Sequence, residues 1–287
     1  MKAYWNDGRG RYATGESYDY FYMEEYDESY KTLFTSSDGL WTYVVVEDGI
    51  ELARYNGNEL HVTVPSIIDG KKVTSLNSTF DGFYELKSAE IPDGVISIEG
   101  AFYGCESLET IRLPEGLEDM TYALNCCFSL KDIKVPKSVI DFSHAFEGTA
   151  IESFAFPQGT LTISNAFSGC GYLKNVTIPK SVTMSDEAFS DCEVLNHVEL
   201  EEGIQKLDEY AFFHCTSLKE LKIPESVTEF GEKSVGIMEV REYVSMGGYK
   251  IKGYQTVPSF QIKGIPGSPA EQYANEHEIS FAEDRTI

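Results

Sequence analysis

Seven segments of this chain end in one short phrase and recur at an almost fixed interval. The phrase is apolar-x-x-apolar-x-apolar-Pro. It occupies Leu86 to Pro92, Leu108 to Pro114, Leu130 to Pro136, Ile151 to Pro157, Leu173 to Pro179 and Leu218 to Pro224, and Leu195 to Glu201 keeps it except for the proline. Successive last positions lie 22, 22, 21, 22, 22 and 23 residues apart. A period between about 20 and 50 residues decides architecture before any local propensity does, because each repeat must bury its apolar face against its neighbours. Within each phrase the last three residues alternate in and out as a short strand does, and proline then stops ladder pairing. Each phrase is therefore one rung of a parallel sheet.

About nine residues after each phrase comes Ala-Phe or a variant: Ala101-Phe102, Ala123-Leu124, Ala145-Phe146, Ala166-Phe167, Ala188-Phe189 and Ala211-Phe212, with Thr79-Phe80 as a degenerate first copy. Stacked at the repeat interval, these predict an aromatic spine. The apolar burial of one repeat does not offset the ordering of some 22 residues, so the stack folds as one body. The Leu-Pro strand end, combined with Ala-Phe-x-x-Cys at Ala101 to Cys105, Ala166 to Cys170 and Ala188 to Cys192, resembles the BspA-like leucine-rich-repeat family. The resemblance covers residues 38 to 287. It departs locally at Leu124, Cys126, Thr149 and Glu201. It implies a mainly β repeat solenoid, a right-handed superhelix with a parallel concave sheet.

A solenoid exposes an apolar rung at each end and needs caps. Trp41 to Val46 and Ile50 to Tyr55 flank the turn Glu47-Asp48-Gly49, which predicts a β-hairpin cap, and Leu60 to Pro65 follows as a first rung. Ser268-Pro269-Ala270-Glu271 combines an N-cap serine, proline at the first helical position and a glutamate at the third, and Ile279 to Phe281 returns as a strand, so a helix and a strand form the C-terminal cap. The expected divisions are an acidic, tyrosine-rich linker or arm over 1–37, the N-terminal cap over 38–65, repeats over 66–230, and a degenerate repeat with an extended loop plus the cap over 231–287.

Composition narrows the partners. A formal net charge of −24 opposes nucleic acid and anionic membranes, both polyanions. No run approaches the ~20 apolar residues a membrane span needs. Met1 opens a polar run, so an exported parent would have lost its signal or carry it outside these residues. Cys105, Cys127, Cys170, Cys192 and Cys215 share one template position and predict a column of small buried thiols without metal; Cys126 stands apart. His61, His144, His197, His214 and His277 join no nucleophile and acid in the expected register, and no glycine-rich phosphate loop follows a strand. The chain reads as a non-enzyme with no cofactor.

The outward positions of the rungs define a floor. Its first column alternates sign: Lys87, Glu109, Lys131, Glu152, Lys174, Asn196, Lys219. The other two contain no aromatic anchor. Aromatics collect on the loops entering the rungs instead: Phe83, Tyr84, Tyr103, Phe128, Tyr172 and Phe213. Tyrosine and phenylalanine along one rim are preferred anchors of protein interfaces, so the candidate surface combines Tyr103, Phe128, Tyr172 and Phe213 with the floor residues Arg112, Lys134 and His197. The resemblance implies a surface-displayed or secreted bacterial protein of adhesion type, with a protein partner. A spacer or assembly domain of a larger secreted polypeptide and a carbohydrate-binding accessory module are the alternatives.

Overall fold

A computed structural model describes residues 4–6, 12–14, 32–183, 185–243 and 249–284. Most of the tyrosine-rich arm, Tyr18 to Tyr30 included, lies outside the described residues. Three stacked layers of hydrogen bonds build the solenoid, and each follows from a template position. The rungs form the first layer. His61–Thr63, Ser88–Glu90 and Thr110–Arg112 pair in parallel, as do Ser153–Ala155, Asn175–Ile178 and His197–Leu200, and then Glu220–Lys222, Gln261–Gly264 and Ser280–Glu283. Register steps by whole repeats: Val176 faces Phe154 on one side and Val198 on the other.

Each proline then opens a turn. Its carbonyl accepts the N–H three residues on, as at Val95 to Pro92 (3.4 Å) and Val182 to Pro179 (3.2 Å). Glu201 keeps that turn, its carbonyl accepting the Ile204 N–H at 3.4 Å, and, lacking a ring on its nitrogen, also donates to Ile178 across 3.1 Å. The second layer is a minimal ladder of parallel bridges through Ser75, Ser97, Asp119, Asp141 and Thr162.

The third layer is the Ala-Phe turn. The Phe N–H donates forward to the alanine carbonyl of the next repeat, for example Phe102 to Ala123 (3.0 Å) and Phe167 to Ala188 (2.9 Å), and at the end of the series Phe212 donates to Ser234 (2.7 Å). The repeat alanines are fully buried there, which leaves room for little beyond a methyl group. Phe80 and Phe102 stack at 5.0 Å, and Phe146, Phe167, Phe189 and Phe212 continue the spine at 5.0, 6.1 and 5.1 Å. Leu124 divides it into two stacks.

The concave sheet is not continuous. Lys131 to Pro136 forms no strand, so Thr110–Arg112 and Ser153–Ala155 each lack a ladder partner on that side. The gap coincides with the 21-residue repeat, where Thr149-Ala150 leads into Ile151 with one residue fewer than elsewhere. Ile111 and Ile133 are only partly covered there.

At the front, Trp41–Val46 and Gly49–Tyr55 form the expected hairpin, and Gly49–Tyr55 runs parallel to Lys71–Leu76. Trp41 and Tyr55 both contact the ring of Phe80, so the aromatic stack ends against the hairpin. At the back, the expected extended loop contains an antiparallel hairpin, Ile237–Tyr243 with Tyr249–Thr256, followed by the rung Gln261–Gly264. The helix spans Pro269–Glu276 and buries Ala270, Tyr273 and Ala274. Its start differs from expectation. Ser268 holds the N-cap position, but its hydroxyl is buried and makes no cap bond. Glu271 reaches back to the Gly267 N–H at 2.6 Å.

Candidate binding surface

The floor residues project from the rungs with their charges largely matched. Seven cations and six carboxylates share the three outward columns between Lys87 and Lys222. That near-neutral floor belongs to a chain of net charge −24, so the negative excess lies outside these columns. The sign alternation produces ion pairs where adjacent rungs are laddered: Lys87 with Glu109 at 3.1 Å and Lys174 with Glu152 at 2.6 Å. Lys174 holds the Glu152 carboxyl below its ordinary range through that hydrogen bond. Such exposed pairs are screened by solvent and bias register more than they add stability.

Arg112 pairs with Glu90, yet its side chain is 70% exposed. Lys134 occupies the same column one rung on, is 91% exposed, and lies 3.6 Å from Glu115. The two hold one template position on successive repeats, with no ladder between them. His197, also exposed, projects from the His197–Leu200 rung, beyond the rungs of Ala155 and Thr177. Beside Arg112 the floor holds a shallow depression of about 290 Å³ lined by His61, Thr63, Ser88, Glu90 and Thr110. His61 Nδ1 lies 2.8 Å from the Ser88 hydroxyl. Neither His61, which falls in the expected N-terminal cap, nor Ser88, on the first full repeat, is among the candidate residues.

The rim divides its aromatics in two. Tyr172 is 60% exposed and Phe128 42%. Phe128 lies against Gly148 of the next repeat, where an added Cβ would stand 3.2 Å from its ring. Tyr84, not among the candidate residues, is equally prominent at 56%. Its signal was available, since it precedes Leu86 by two residues as Phe128 precedes Leu130. Tyr103 is partly buried, and burial pushes its phenol up to about 12. Phe213 is a correction: it is buried, packed edge-on against Tyr210 and against Tyr254 of the C-terminal hairpin, and offers no free face.

The cysteine column is as the spacing predicts, and all six thiols are free. Burial raises every one of them, Cys126 and Cys170 to about 12, so none supplies a thiolate nucleophile at neutral pH.

Residues 74–183 and 142–241 match the family model described as BspA type leucine rich repeat region, in six copies. Among solved structures, the chain is similar to a leucine-rich repeat protein from Bacteroides ovatus at 21% identity and a TM-score of 0.65, over 89% of this chain and 68% of that one. That likeness is one of fold. A leucine rich cell surface protein from Faecalibacterium prausnitzii also matches at 24% identity and a TM-score of 0.47, over 81% and 70% of the two chains. A leucine rich repeat protein from T. pallidum matches at 28% identity and a TM-score of 0.46, over 69% and 86%. No curated protein matches. Among the described residues no helix is long and apolar enough to cross a membrane.

Proposed function

This chain belongs to the BspA-type leucine-rich-repeat family, and on that premise we propose that it is a non-enzymatic binding module of a bacterial surface or secreted protein, with a protein as its partner. Repeat solenoids of this kind present extended concave surfaces, and proteins built from them typically act in protein interaction. The observation that carries the reading is the contrast between the charge-matched floor and the acidic remainder of the chain. A protein approaching the floor meets little net repulsion, and Tyr84, Phe128 and Tyr172 stand exposed on the adjoining loops as anchors. An interface of ordinary size needs ~800 Å² from each partner, which several adjacent repeats supply.

The test is equilibrium binding to panels of extracellular-matrix proteins, bacterial surface proteins and glycans. Wild type is compared with a folded Tyr84→Ala, Phe128→Ala, Tyr172→Ala triple variant. Saturable binding to a protein that weakens at least about tenfold in the triple variant supports the proposal, since anchors of this kind each carry ~1–2 kcal/mol or more. Selective binding to a glycan alone would replace it with the carbohydrate-binding reading.

A further inference from the structure

Away from the concave floor, the turns of two successive repeats bring together three metal-ligating side chains. Asp191 and Glu193 come from one turn, His214 from the next, and their ligand atoms all lie within 4.8 Å of one another. His214 Nδ1 is 2.6 Å from Asp191 Oδ1 and 4.0 Å from Glu193 Oε1, and the imidazole is 8% exposed. A cation already sits beside them. Arg241 reaches in from the C-terminal hairpin, with Nη2 3.3 Å from Asp191 Oδ1 and 3.3 Å from His214 Nδ1.

That guanidinium is held mainly from its own hairpin. Its Nε donates to Glu239 at 2.6 Å, and its plane lies 4.4 Å from the centre of the Tyr249 ring. On the His214 side the fit is poor, because an Nδ1 that donates to Asp191 at 2.6 Å presents an N–H to another donor. A divalent ion would use the same three groups better. Metal–ligand distances of ~2.0–2.2 Å place neighbouring ligands of a tetrahedral site about 3.3–3.6 Å apart. The His214 separations of 2.6 and 4.0 Å bracket that range and all three ligand atoms lie within 4.8 Å of one another, so side-chain rotations bring them onto one ion. One imidazole with two carboxylates selects a borderline transition metal such as Zn²⁺ over Mg²⁺ or Ca²⁺.

We propose that Asp191, Glu193 and His214 form a divalent transition-metal site in which Arg241 is the built-in competitor, so that metal entry loosens the hairpin Ile237–Thr256 from the repeat turns. No local spacing announces this set, since Asp191 and Glu193 precede His214 by 23 and 21 residues. The site lies on the loop edge that also carries the proposed anchors, Glu193 following Cys192 as Phe128 follows Cys127, but its test does not depend on that reading.

Isothermal titration of the full chain with ZnCl₂ near neutral pH tests it, using wild type, Arg241→Gln, Glu193→Gln and His214→Gln. Glu193 is largely exposed and outside the Arg241 contacts, so Glu193→Gln keeps the fold if His214→Gln does not. The expected result is one Zn²⁺ per chain, bound about tenfold more tightly by Arg241→Gln and about tenfold more weakly by Glu193→Gln. Zn²⁺ should also speed amide exchange in 237–243 and 249–256 of wild type. No stoichiometric binding, unchanged affinity in Glu193→Gln, or no gain in Arg241→Gln would each overturn the site.

Discussion

The thiol of Cys192 donates a hydrogen bond to the carbonyl oxygen of Phe167, one repeat earlier, across 3.1 Å. The same carbonyl accepts the Cys170 N–H, and the Phe167 N–H donates forward to Ala188, so each Ala-Phe-x-x-Cys turn is tied to both neighbours. Cys105, Cys127, Cys170 and Cys215 repeat the contact on Phe80, Phe102, Phe146 and Phe189 at 3.1–3.3 Å. The cysteine column is thus a side-chain ladder inside the core. Cys192→Ala is expected to cost ~1–3 kcal/mol through the lost donor and the small cavity, read as a lowered denaturation midpoint. Native thiols should react slowly with a thiol reagent, Cys126 first because it is the least buried, and six should titrate after unfolding.

Acid should stabilise this protein before it unfolds it. Burial, then the Glu147 charge, pushes the Glu187 carboxyl up, and burial with Asp119 and Glu51 does the same at Glu99. A carboxyl whose folded value exceeds its unfolded value of 4.5 binds its proton more tightly when folded. Its contribution is therefore most favourable below that value and is lost as pH rises through the folded one. Melting temperature should fall from about pH 5 to pH 8, and Glu187→Gln should raise it at pH 7 with the advantage closing toward pH 4.5. An advantage independent of pH would contradict this.

Gly148 tests the tie between repeat geometry and rim. It holds φ 74°, where an L side chain is strained, and a Cβ there would press the Phe128 ring. Gly148→Ala should cost ~1–2 kcal/mol and displace Phe128, lowering both the melting temperature and the affinity for a rim-binding partner.

The repeat period, rungs, spine and thiol column were all legible in the sequence, since each rests on one residue type at one template position. What escaped was set by contacts between turns. Glycines mark left-handed turns at Gly82, Gly104, Gly148 and Gly169, but Cys126, Asp191 and His214 adopt the same conformation at φ 62°, 59° and 58° without such a marker. The burial of Phe213 depends on Tyr254, 41 residues away, in a hairpin outside the template. The missing ladder at Lys131 to Pro136 accompanies a single-residue deletion whose consequence is visible only once the strands are laid side by side.

Deleting residues 264–287 should be far more damaging than its length suggests. It removes the strand Ser280–Glu283 from Gln261–Gly264 and uncovers the packing of Ala270, Tyr273 and Ala274. The remaining edge offers unpaired backbone groups beside apolar side chains, a template for self-association. Aggregation or a loss of cooperative melting is expected; a monomer of unchanged melting temperature would show that these residues do not cap the solenoid.

The central claim is that the partner binds the floor and not the acidic faces, and charge reversal on each side tests it most directly. Once a protein partner is identified, Kd is measured for wild type, for Arg112→Glu with Lys134→Glu on the floor, and for Glu209→Lys with Glu118→Lys on the faces outside the floor. The account predicts at least about tenfold weakening for the floor pair and less than about twofold change for the other, because truncated or reversed charges matter chiefly where they are covered. Equal affinity of wild type and the floor pair, or the larger loss from the acidic pair, would contradict it.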